Sequence, residues 1–176
     1  MLVKMKWDAF NTLQDEALGL ACFEPINQAY KEIQTRGDDF STGLYQRLSD
    51  GQKALFIFRA YYTHVRKSAA DLYWWSAYFM AQPGRWPALK NGLRLFGDRA
   101  TRYLLEDLEA SLRERNHPRN LENFDVSTQD LRYDPELCSS VSSLYAQLHE
   151  AAPITIKIIA DYIRNHPGDF VQIQRN

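Results

Sequence analysis

Residues 49–80 read Ser49-Asp50-Gly51-Gln52-Lys53-Ala54-Leu55-Phe56-Ile57-Phe58-Arg59-Ala60-Tyr61-Tyr62 and run on to Asp71-Leu72-Tyr73-Trp74-Trp75-Ser76-Ala77-Tyr78-Phe79-Met80, with no Pro or Gly between Gly51 and Pro83. Ser49 followed by Gln52 has capping-box spacing: the hydroxyl accepts from one orphan amide and the glutamine reaches back to another. Leu55, Phe58, Tyr62 and Val65 recur at three- and four-residue steps, and Ala54, Ile57 and Tyr61 widen that face. So wide a stripe belongs to a helix buried against several neighbours.

A break is expected near Ser68. His64, Arg66 and Lys67 put positive charge where a helix C-terminus favours it, and Ser68 with Asp71 repeats the cap. Leu72 to Ala81 is apolar almost all round, yet at about ten residues it is too short to span a bilayer, which needs ~20. It reads as a core helix whose Tyr and Trp polar atoms find local partners. The alternative is a ligand or partner groove lined by Tyr73, Trp74 and Tyr78.

Upstream, Val3 to Ala21 places Trp7, Phe10, Leu13, Ala17 and Leu20 or Ala21 on one helical face. Pro25 suits a first turn and marks a restart, which runs through Ile26, Tyr30 and Ile33 to a left-handed cap at Gly37. Asp38-Asp39 or Ser41 then caps a short helix holding Phe40, Leu44, Tyr45 and Leu48.

Downstream, Gln82-Pro83-Gly84 makes a turn. Arg85-Trp86-Pro87 leads into a short helix with Leu89, Leu93, Leu95 and Phe96, ending at Gly97. Asp98 caps the next, with Ala100, Tyr103, Leu104, Leu108 and Leu112 expected on its buried side and a stop at Asn116-His117-Pro118. Arg119 to Asp134 is irregular, anchored by Leu121, Phe124, Val126, Leu131 and Tyr133: an ordered surface loop or, alternatively, a lid or partner segment.

Asp134-Pro135-Glu136 starts a helix carrying Leu137, Val141, Leu144, Tyr145 and Leu148, which Ala152-Pro153 interrupts. Ile154, Ile156 and Ile158 alternate as in a strand, but Thr155, Ile158 or Ile159, Tyr162 and Ile163 form a helical stripe, the preferred reading. Pro167-Gly168 closes it, and Asp169 to Asn176 reads as a tail. The expected fold class is all-α: a single domain over residues 1–176, a compact orthogonal array of about eight or nine helices without a convincing strand.

At 176 residues and 20.5 kDa one domain is the natural reading, and such a chain buries a core without staples. Cys22 and Cys138 fit no metal or redox spacing. With no signal peptide and no transmembrane run, the chain reads as cytoplasmic, with free thiols and no membrane association. Net charge is −1 but segregated: Arg59 to Arg102 carries eight Lys or Arg against two acids, and Tyr103 to Glu150 carries ten acids against four Arg. The basic middle either pairs internally with the acidic region or forms an external anion-binding face.

The four histidines, His64, His117, His149 and His166, are scattered without metal-ligand spacing, so no metal is expected. There is no phosphate-cradling glycine loop, dinucleotide fingerprint or nucleophile elbow, and no cofactor is expected. Glu106, Asp107 and Glu109 cluster on one helix and read as a solvated acidic face; an enzymatic alternative joins Asp107 to His64 and a Tyr between helices.

The segment Leu48-Ser49-Asp50-Gly51-Gln52, the aromatic helix after it, and Ala88-Leu89-Lys90-Asn91-Gly92-Leu93-Arg94-Leu95-Phe96-Gly97 with its following helix resemble a bacterial all-helical family of unknown function that includes a DNA-mimic protein. The resemblance covers Leu48 to Leu112. This chain departs from the family's Asn-Gly-Gly-Phe-like turn, where it has Lys67-Ser68-Ala69-Ala70, and a net charge of −1 is not the strongly acidic surface that DNA mimicry requires. The resemblance carries over no functional residue and implies a binding protein without catalytic chemistry.

The leading expectation is therefore a small protein-interaction module. Its candidate surface is the basic, aromatic middle together with the loop from Arg119 to Asp134, its candidate contact residues are Arg66, Lys67, Tyr73, Trp74, Arg85, Trp86, Lys90, Arg94 and Arg102, and the expected partner is another protein. Arginines beside stacking aromatics also suit nucleic acid or a phosphate ligand, the second reading.

Overall fold

The capping box at Ser49 forms as its spacing predicts. Gln52 N–H donates to Ser49 Oγ at 3.2 Å, and Ser49 N–H donates to Gln52 Oε1 at 3.1 Å. A computed structural model describes residues 1–40, 43–115 and 120–174. Among these the order is β1 (Val3–Lys6), α1 (Trp7–Thr12), α2 (Asp15–Arg36), a 3-10 turn (Tyr45–Arg47), α3 (Asp50–Val65), α4 (Ala69–Ala81), α5 (Arg85–Phe96), α6 (Arg99–Glu114), α7 (Asp130–Tyr133), α8 (Pro135–Asn165), α9 (Pro167–Phe170) and β2 (Val171–Gln174). The fold is all-α, with nine α-helices among the described residues.

Local chemistry explains several boundaries. Ser68 accepts from Asp71 N–H at 3.0 Å and separates α3 from α4. Asp98 Oδ1 accepts from Thr101 N–H at 3.0 Å to open α6, and Asp134 Oδ1 accepts from Leu137 N–H at 2.8 Å to open α8. Gly37 and Gly97, at φ 75° and 86°, close α2 and α5 in the left-handed conformation. At each, the residue after the glycine reaches back five positions, Asp38 to the Ile33 carbonyl and Asp98 to the Leu93 carbonyl, which is the Schellman pattern.

The backbone groups into two compact units, Met1–Phe56 with Ile154–Asn176, and Ile57–Pro153. In the first, Phe56 gathers Phe23, Tyr30 and Phe40 with ring centroids 6.0, 5.4 and 5.2 Å away. Leu18, Ile26, Ile163 and Phe170 are fully buried in the same unit. In the second, α4 buries Leu72, Tyr73, Ser76, Ala77 and Phe79. Tyr61 of α3 shares a 2.7 Å hydrogen bond with Ser76 and lies edge-on to Phe79 and Trp86. Leu89 and Leu93 of α5, Leu105, Leu108 and Leu112 of α6, and Val141 of α8 complete this core.

Several sequence expectations are corrected. Val3 to Ala21 is not one helix: Val3–Lys6 pairs in parallel with Val171–Gln174, so the expected C-terminal tail is instead strand β2 as far as Gln174. Both segments alternate apolar and polar residues, the period-2 signal of a strand. Trp7, expected inside, is 55% exposed. Pro25 does not restart a helix and Pro153 does not interrupt one; each lies within a continuous helix, flanked by buried residues such as Cys22, Phe23, Ile26, Ala152 and Thr155. Ser41 and the stop at Asn116-His117-Pro118 lie outside the described residues, as does Arg119.

Candidate functional site

In the second unit, the turn after α4 and the facing sides of α5 and α6 enclose a cleft of about 360 Å³. Gly84, at φ 82°, lets the chain turn from α4 into α5. Met80, Pro83 and Pro87 give the cleft apolar walls. Trp86 and Lys90, one helical turn apart on α5, meet Glu109 and Arg113, one turn apart on α6.

Glu109 is the centre of this arrangement. Trp86 Nε1–H donates to its Oε2 at 2.9 Å and Lys90 Nζ donates to the same oxygen at 2.5 Å. Arg113 donates to Oε1 from Nε at 2.8 Å and also from Nη2. The Glu109 side chain is 11% exposed. Burial alone would push its pKa up, but the hydrogen bonds from Lys90, Trp86 and Arg113 and the Lys90 charge outweigh it and bring the group down to about 2. Glu109 is thus a fixed anion that aligns two cations at the cleft wall. It is the residue that sequence reasoning missed, having been read as part of a solvated face with Glu106 and Asp107. The buried stripe of α6 runs Thr101, Leu105, Leu108, Glu109 and Leu112; Ala100 and Tyr103, expected inside, are exposed.

The other candidate residues fall into three further places. Arg66 and Lys67 are exposed in the α3–α4 turn, where the Arg66 carbonyl accepts from Tyr145 Oη at 3.0 Å. Tyr73 is fully buried and Trp74 half-buried. Trp74 stacks on Tyr78 at 5.0 Å, and Phe124 from the irregular stretch meets both edge-on at 5.6 Å. Arg85 holds its guanidinium 5.7 Å from the Phe79 ring centroid.

Around the α5–α6 turn, Arg94, Leu95, Arg99 and Tyr103 are exposed. Arg102 pairs with Glu106 at 2.9 Å and lies 4.7 Å from the Tyr103 ring centroid. A hydrogen bond from Arg99, together with the charges of Arg99 and Arg102, lowers the Tyr103 pKa. The basic middle is therefore split. Lys90 and Arg102 pair with acids after Tyr103, whereas Arg66, Lys67, Arg94 and Arg99 have no ion pair among the described residues.

The enzymatic alternative needs His64 beside a carboxylate and a tyrosine. His64 stacks flat on Trp75 at 3.6 Å; burial and then Lys67 lower its pKa, against an opposing effect of Asp71. Asp107 is exposed on α6, and no hydrogen bond joins it to His64 among the described residues. Cys22 and Cys138 are free, and burial pushes the Cys22 thiol up to about 12. Among the described residues no group of three His, Cys, Asp or Glu could hold a metal ion, and no helix is long and apolar enough to cross a membrane.

The irregular stretch is tied down through α4. Tyr73 Oη donates to Asp130 Oδ2 at 2.8 Å, and the same oxygen accepts from Ser127 N–H at 2.9 Å. Removing a hydrogen bond to a charged acceptor costs about 1.5–3 kcal/mol. Tyr73→Phe should therefore lower unfolding stability by about 2 kcal/mol in urea titration and speed amide exchange at Ser127 more than in α8.

Comparison of the chain with known protein families, with characterised proteins and with solved structures found no match.

Proposed function

We propose that this chain is a protein-interaction module without catalytic chemistry, and that the α5–α6 turn in its basic, aromatic middle binds an acidic surface of a partner protein. One observation carries this reading. Arg94 and Arg99 stand exposed with no ion pair among the described residues, beside Leu95 and Tyr103, which are 41% and 46% exposed. Arginine next to an exposed tyrosine is the composition of an interface hot spot, in which the aromatic supplies contact area and the guanidinium pairs with carboxylates. The fixed pairing of Glu109 and the stacking of His64 on Trp75 also favour a structural rather than an acid–base role for these groups.

The test compares the wild-type chain with Arg94→Glu/Arg99→Glu as bait in a lysate of its own cells. Reversing two rim charges slows encounter and weakens a charge-complementary complex by about tenfold or more. An acidic protein retained by the wild type and lost from the folded variant is the expected result. Equal capture by both chains overturns the reading. Labelled single- and double-stranded nucleic acids form a separate arm: binding by the wild type that collapses between low and physiological salt assigns the arginines to phosphates instead.

A further inference from the structure

We propose that the cleft between the α4–α5 turn, α5 and α6 is a binding site for a small organic acid, a single carboxylate on an apolar body. Its volume of about 360 Å³ lies within the range of small-molecule sites, roughly 300–1,000 Å³. The polar wall selects the charge. Glu109 receives two donors on each oxygen, so it has little capacity for a further cation. Lys90 and Arg113 together carry one more positive charge than Glu109 neutralises. An ammonium has three N–H donors and a guanidinium five. The contacts to Glu109 use one from Lys90 and two from Arg113, which leaves donors on both side chains for a ligand.

The side chains of Lys90 and Arg113 are 25% and 48% exposed and both line the cleft, with Glu109 holding the Lys90 ammonium and the Nε–Nη2 edge of the Arg113 guanidinium. Arg113 can offer a fork to a carboxylate, the geometry that makes such pairs short and directional. The lining also includes Met80, Pro83 and Pro87, whose apolar surface a fully hydrated ion such as inorganic phosphate cannot use. Charge and apolar surface in one cleft define the ligand class: an amphipathic monocarboxylate rather than a sugar, a cation or a free phosphate. This cleft is separate from the exposed arginines of the α5–α6 turn, so the small-ligand site and the protein-contact surface stand or fall independently.

Phenylacetate is the probe, followed by NMR at the Trp86 indole N–H and the Arg113 side-chain resonances of the full chain. A probe this small is expected to bind with a dissociation constant of about 1 mM and to shift both signals. Benzyl alcohol lacks the charge and inorganic phosphate lacks the apolar body; neither should produce these shifts at the same concentration. Arg113→Gln should weaken phenylacetate roughly tenfold. Because that change also disturbs Glu109, Asn91→Trp serves as a second variant: Asn91 is exposed on the cleft rim, outside the Glu109 network, and an indole there fills the space. It should abolish the shifts while leaving the fold intact. The proposal is overturned if phenylacetate leaves both signals unmoved at about 10 mM, if benzyl alcohol or phosphate binds equally well, or if Asn91→Trp binds like the wild type.

Discussion

Glu109→Ala is expected to lower the unfolding free energy of the chain by about 3 kcal/mol at neutral pH. The change leaves the indole N–H of Trp86, a residue 3% exposed, without its acceptor, and leaves Lys90 and Arg113 without the acid between them. Breaking a buried pair from one side costs about 3–5 kcal/mol. The lower end applies because both cations reach water and recover part of their hydration. Lys90→Met should cost less, since Glu109 then keeps Arg113 and Trp86. The measurement is urea unfolding followed by tryptophan fluorescence, and Trp74, Trp75 and Trp86 all lie in the unit that contains Glu109. A loss for Glu109→Ala within about 0.5 kcal/mol of zero would place the network among ordinary surface pairs.

Acid titration probes the same contacts by a second route. Glu109 titrates near 2 in the folded chain against an ordinary value of 4.5. A carboxyl whose folded pKa is depressed contributes stability that is complete above its unfolded pKa and is lost as pH falls through the folded value. Lowering the group from 4.5 to about 2 corresponds to at most about 3 kcal/mol, which solvent screening of the exposed cations reduces. The wild type should therefore lose stability between about pH 5 and pH 2, and Glu109→Gln should lose less over that window. Other carboxylates, such as Asp134 held low by Arg115, titrate in both chains and cancel in the difference.

Much of the helical frame is readable from the sequence because caps are local. Ser49, Ser68, Asp98 and Asp134 each satisfy an amide three residues on, and Gly37 and Gly97 adopt left-handed backbone that other residues avoid. Strand β1 is not readable in the same way. Its alternation lasts four residues, and its partner is at the other end of the chain. Pro25 and Pro153 mislead for a related reason: a helix-interior proline costs about 3 kcal/mol locally, and long-range packing of the buried residues on either side offsets that cost.

The candidate site is half readable. Trp86 and Lys90 stand out as an aromatic and a cation one turn apart, but their acceptor does not. Tyr103 suggests a buried face starting one or two positions away from the real one, and a rotation of about 100° per position moves Glu109 from the apolar stripe to solvent. Taken from Thr101 through Leu105, Leu108 and Leu112, the stripe places Glu109 inside. The donors that make its burial tolerable come from another helix, which no local pattern reveals.

Gly51→Val should be as damaging as Glu109→Ala, through space rather than charge. A Cβ at Gly51 would lie 2.8 Å from Phe170 Cζ and 3.0 Å from Tyr162 Cε1, closer than side-chain carbons approach. Phe170 is 1% exposed, so its ring has little room to withdraw. Alanine at this position would gain up to about 1 kcal/mol in helix propensity, which partly hides the clash. Valine has lower propensity and two further methyl groups. Overpacking of this kind costs about 1–3 kcal/mol, and the upper end is expected at so buried a contact. Phe170 immediately precedes β2, so a displaced ring should also loosen the pairing of Val171–Gln174 with Val3–Lys6, visible as faster amide exchange there than in α6. Phe170→Leu removes the obstructing ring atoms. The double variant should therefore be more stable than the sum of the two single losses by about 1 kcal/mol. Strict additivity would mean that Gly51 is required for another reason and that the contact with Phe170 is incidental.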